Sequence, residues 1–105
     1  MKIIFLPFLA MTFCPPDMPQ KLYDYLKPKM EKVTWLDINP KSPQNPCQFT
    51  IRYYPCNDSI QNQIDGLLPK AIYANYPHCI LQDSGKHMHT EGFCTLQDAS
   101  MQCKN

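Results

Sequence analysis

Apolar positions recur along this chain with two different periods. Gln48 to Tyr54 alternates Phe49, Ile51 and Tyr53 with Thr50, Arg52 and Tyr54. Period two in a run dominated by β-branched and aromatic residues predicts a half-buried strand. Farther on, Ile60, Ile64, Leu67, Leu68, Ala71 and Ile72 repeat at helical spacing through about residue 75. Asp58 with Gln61 resembles a capping box opening that helix. Gly66 weakens it, and Pro69 would kink it or start a second short helix.

Weaker patterns fill in the rest. Leu22, Tyr25 and Leu26 share one face of a short helix at about 19–27, with Asp17 near its start and Pro28 ending it. Lys32 to Ile38 reads as a strand with Val33 and Trp35 on one face. Residues 39–46 hold three prolines and read as a loop. Cys79 to Gln82 reads as a brief strand. Asp83-Ser84-Gly85 is a turn signal, so Lys86 to Leu96 reads as the returning strand of a hairpin, interrupted near Gly92. From Gln97 the chain is polar and reads as irregular until Cys103. The order helix, strand, strand, helix, strand, strand predicts an α+β fold: a small, mostly antiparallel sheet, one main helix and a covalent staple.

The staple comes from the cysteines. Six in 105 residues, Cys14, Cys47, Cys56, Cys79, Cys94 and Cys103, point to disulfides and an oxidising compartment. Fifteen connectivities are open to six cysteines. Cys47/Cys56 and Cys94/Cys103 each enclose eight residues, a loop whose closure is worth about 2–3 kcal/mol. No C-x-x-C spacing is present, so a structural zinc site is not expected, and no cofactor is assigned.

Residues 1–13 carry one lysine and an apolar run. That is the layout of a signal peptide, and it is too short for a membrane-spanning helix. The alternative is a buried N-terminal strand. Ala10 and Thr12 supply small residues for cleavage, and retaining Cys14 keeps the cysteine count even. Residues 14–105 then form one secreted domain of a size that benefits from crosslinks. Twelve aromatic residues supply core material and argue against disorder. Asn57-Asp58-Ser59 is an N-glycosylation sequon, which suits that route. A formal charge of +1 with no basic stripe gives no electrostatic case for nucleic acid.

Three groups carry candidate chemistry. Cys56 and Ser59 form a Cys-x-x-Ser ahead of the main helix, where the helix dipole favours thiolate. The strand, Cys-x-x-Ser, helix, strand order over residues 48–96 resembles thioredoxin-like proteins, and the resemblance implies a one-thiol redox role for Cys56. His87, His89 and Glu91 would share one face of a strand, able to cleave RNA by acid–base transfer, with Arg52 or Lys86 on the phosphate. The same face, with His78, offers metal ligands. Arg52 and Tyr54 are interface anchors by residue type. Tyr54-Pro55-Cys56 also resembles the Tyr-x-Cys pattern of some mildew effectors, within the class of small secreted cysteine-rich toxins and fungal candidate effectors. That resemblance implies a stapled binding protein acting on an extracellular or host protein; a monomer is expected.

Overall fold

The computed structural model describes residues 14–43 and 45–104; the expected signal peptide lies outside the described residues. Helix α1 (Met18–Leu26) is followed by a 3-10 turn (Lys27–Lys29), strands β1 (Trp35–Ser42) and β2 (Asn45–Tyr54), helix α2 (Asp58–Asn75), and strands β3 (Cys79–Asp83), β4 (Lys86–Thr90) and β5 (Phe93–Cys103). All strand pairs among the described residues are antiparallel, in the order β1-β2-β5-β3, and β4 also pairs with β5. The fold is therefore α+β, a five-stranded sheet with one main helix of 18 residues and three disulfides.

Both helices bury against one sheet face. Met18, Leu22 and Leu26 of α1 and Ile60, Ile64, Leu68, Ala71 and Ile72 of α2 join Leu36, Ile38, Phe49, Ile51, Tyr53, Leu96, Ala99 and Met101 in one core. Alternation then sends Trp35, Asp37, Arg52 and Tyr54 to the opposite face, which no described element covers. Trp35 is exposed while Val33 is buried, which corrects their expected common face, because the strand starts only at Trp35.

Three segments differ from the sequence expectation. Residues 39–46 are mostly strand: β1 runs to Ser42 and β2 starts at Asn45. Pro40 fits because β1 is an edge strand whose outer side needs no donor. β2 passes beyond its last β5 partner at Gln48↔Ser100, so Pro46 also removes no ladder bond on that side. Asp83-Ser84-Gly85 is not a hairpin turn. β3 and β4 lie in line along the same side of β5, pairing with residues 100–103 and 93–97 respectively. Gly85 (φ 80°) bridges the two where a Cβ would sit 2.8 Å from the Gln97 carbonyl oxygen. The reversal comes instead at Glu91-Gly92, with Gly92 at φ 88°.

The expected irregular tail is the other half of β5. Its alternation slips at Gln97 and Asp98, both exposed, with Asp98 at φ 60°. The β2–β5 register shifts there too, so period two resumes out of phase at Ala99.

α2 is one helix through Pro69. Proline offers no N–H, so the Asp65 carbonyl loses its i+4 partner. Its cap is Asn57, one residue earlier than the expected capping box: Asn57 Oδ1 accepts from the Ile60 amide at 2.9 Å. The Tyr76 hydroxyl donates to Asp17 Oδ1 at 2.7 Å, tying the end of α2 to the start of α1.

Candidate functional site

Two surfaces collect the residues singled out above, one on each side of the sheet. On the uncovered side, β2 places Tyr54 opposite Trp35 and Arg52 opposite Asp37 on β1, with Arg52 also opposite Thr95 on β5. The Trp35 and Phe93 rings meet edge to face at 5.7 Å, and the Arg52 guanidinium lies 5.8 Å from the Trp35 ring centre. Arg52 Nη2 donates to Asp37 Oδ2 at 2.6 Å, so its charge is locally balanced. Trp35 and Tyr54 stay 42% and 46% exposed, a large apolar area for two neighbouring aromatics to leave in water. Beyond Arg52 the face continues as a shallow cleft of about 500 Å³ bordered by Asn39, Lys41, Thr50, Gln97 and Asp98.

Sequence reasoning picked out Arg52 and Tyr54 but not Phe93, and it gave Trp35 no site role. Phe93 lies 58 positions from Trp35, and only the β2–β5 pairing reveals their contact. Alternation around Trp35 was the one local signal.

The other side of the sheet carries a cleft of about 200 Å³ at the start of α2, lined by Tyr53, Cys56, Asn57, Asp58, Gln61, His87, Met88, His89 and Cys94. His87 and His89 both reach it from β4, while Glu91 stands in the following turn and does not line it. His78, at the start of β3, is not brought to them; its nearest ligand-type neighbours are Cys79 and Cys103.

His87 is held at both ring nitrogens. Nδ1 is 3.0 Å from the Tyr53 hydroxyl and Nε2 is 2.8 Å from Asp65 Oδ1. The tautomer that satisfies both has Nε2 donating to the carboxylate and Nδ1 accepting from the phenol. Burial, and then the Asp65 charge, raises the Tyr53 pKa above its ordinary value, which keeps the phenol a donor. Tyr53 and Asp65 were not among the expected site residues. With both nitrogens engaged, His87 ties α2, β2 and β4 together. Arg52 cannot serve a phosphate bound here, since it is on the opposite sheet face.

Cys56 is not a free thiol. It is bonded to Cys94, and the other bridges are Cys14–Cys47 and Cys79–Cys103, with no unpaired cysteine among the described residues. This corrects the one-thiol, thioredoxin-like reading: there is no resting thiolate, and no strand pair among the described residues is parallel. The equally spaced pairs Cys47/Cys56 and Cys94/Cys103 are not the ones that join. The Cys14 and Cys103 sulfurs lie 3.9 Å apart, so two bridges touch inside the core. Asn57 is exposed, and its cap bond uses Oδ1, leaving Nδ2, the atom a glycan takes, outside that bond.

Among the described residues, no helix is long and apolar enough to cross a membrane. Comparison with family models, curated proteins and solved structures finds no match to this chain.

Proposed function

We propose that this is a secreted, disulfide-stabilised binding protein that engages an extracellular or host protein through the open face of its sheet. Trp35, Arg52, Tyr54 and Phe93 are the anchors. The observation that carries the reading is the exposed aromatic pair flanking Arg52 on a sheet face with no covering layer among the described residues. Tyr, Trp and Arg are the residue types that dominate binding energy when buried at an interface centre. The alternating polar neighbours Asp37, Asn39, Thr50 and Thr95 supply the hydrogen-bonding rim. Because Asp37 balances Arg52, the face carries no concentrated positive charge, and a protein suits it better than nucleic acid.

Three bridges suit a protein that functions outside a reducing cytosol. The effector-like and toxin-like roles belong to the same proposal, as does a glycan at Asn57.

The test is label transfer from a photo-crosslinker at Thr95, on the open face, against the same probe at Tyr73, which is exposed on α2. Transfer to one protein from position 95, absent from position 73 and lost with Trp35→Ala, is the expected result. Equal transfer from both positions, or transfer indifferent to Trp35→Ala, overturns the proposal.

A further inference from the structure

The cleft on the helix side contains a second arrangement that the binding role does not use. His89 on β4 is the cross-strand partner of Cys94 on β5, and Cys94 is bonded to Cys56. One ring nitrogen of His89 and the sulfurs of Cys56 and Cys94 all lie within 4.8 Å of one another. In the oxidised protein these sulfurs are not thiolates and cannot act as strong ligands. We propose that opening the Cys56–Cys94 bridge converts this cluster into a Cys2His site for a thiolate-preferring divalent cation such as Zn²⁺.

The chemistry balances with an external dithiol. Two electrons and two protons pass to the bridge, giving two thiols, and the dithiol leaves as its own disulfide. Binding of the cation then displaces both thiol protons. Two thiolates and an imidazole match the donor set and tetrahedral preference of zinc. Water or the Asp58 carboxylate, which lines the same cleft, takes the fourth position.

Three features single out this bridge. Both of its cysteines line an open cleft, so a reductant reaches the sulfur. Cys56 lies just ahead of the Asn57 cap, where the positive end of α2 favours the thiolate. His89 and Cys94 are held opposite each other by the β4–β5 ladder, so two of the three ligands keep their spacing without the disulfide. His78, Cys79 and Cys103 form a parallel cluster, but there both cysteines are buried (1% and 4% exposed). That cluster is the internal control. A protein moving from an oxidising compartment to a reducing one would thereby exchange a covalent staple for a metal one.

The experiment reduces the folded protein with limiting dithiothreitol, removes the reagent without oxygen and titrates with Co²⁺ alone. Alkylation and peptide mass mapping identify the open bridge. The expected result is opening of Cys56–Cys94 first, then one equivalent of Co²⁺ bound with thiolate charge-transfer and tetrahedral ligand-field bands. Zn²⁺ should displace the cobalt. His89→Ala, an exposed position, should weaken binding at least as much as the roughly 10–100-fold lost with an outer-shell partner. His78→Ala should leave it unchanged. A different bridge opening first, all three opening together, no cobalt bands with Cys56–Cys94 open, or bands unaffected by His89→Ala would each overturn the proposal.

Discussion

Asp65 of the long helix holds His87 of the fourth strand, carboxylate oxygen to Nε2 at 2.8 Å, and so fixes the ring that receives the Tyr53 hydroxyl. The strut has an energetic signature. His87→Ala leaves the buried Tyr53 hydroxyl without its partner, which costs about 1–3 kcal/mol. Tyr53→Phe alone costs about 1 kcal/mol, and in the His87→Ala background it should be neutral or stabilising. Urea unfolding of the four proteins in this cycle checks it. Additive losses would show that the hydroxyl and the ring act independently.

The anchors of the open face should affect binding and stability differently. Asp37→Asn breaks an ion pair between side chains that are 32% and 41% exposed, and should change stability by no more than about 1 kcal/mol. Trp35→Ala and Tyr54→Ala should each weaken target binding by about 2 kcal/mol or more. Calorimetric titration and thermal melts on the same samples separate the two effects.

Chain entropy ranks the three bridges almost equally. Their sequence separations are 33, 38 and 24 residues. Removing any one pair by double alanine substitution should cost about 3–4 kcal/mol on loop-closure grounds. Denaturant titrations check the size, and a thiol assay on the intact native protein should find none.

Alkali should unfold the protein by way of two phenols. Tyr53 and Tyr76 both have pKa values raised above the ordinary 10, chiefly by burial; the Asp65 charge adds to the first, and the hydrogen bond and charge of Asp17 to the second. The folded state keeps protons that the unfolded chain releases above about pH 10. Stability is therefore whole below that pH and falls as pH rises beyond it. Ultraviolet titration should show two of the six tyrosines ionising late, together with unfolding.

Two glycines should respond in opposite directions to alanine. Gly66 lies within α2, and a Cβ added there would meet nothing within 4 Å, so Gly66→Ala should stabilise by about 1 kcal/mol. Gly85→Ala places a Cβ 2.8 Å and 3.0 Å from β5 backbone atoms at a positive φ, and should destabilise by more than about 2 kcal/mol. Melting temperatures report both signs.

Local periodicity made β2 and α2 legible, because each is a long run of one period with a buried stripe. It also supported the fold class, as cysteine number and parity supported the disulfides. It failed at β5, where the slip at Gln97-Asp98 breaks the alternation and polar side chains disguise an interior strand. It misplaced the hairpin because Asp83-Ser84-Gly85 has turn chemistry but is used to pass close to β5. The site was less legible than the fold. His87 meets Tyr53 and Asp65 across 34 and 22 positions, and Trp35 meets Phe93 only through sheet order. Contacts of that kind depend on topology, which period and spacing do not encode.

Cys14 and Cys103, 89 positions apart, have touching sulfurs, so the two ends of the described fold meet. A short peptide can therefore join Lys104 to Cys14, with new termini cut at the exposed Glu91-Gly92 reversal, and such a circular permutant should retain all three crosslinks. The same closeness allows residues 14–104 to be spliced into a surface loop of an unrelated carrier without prying the carrier apart.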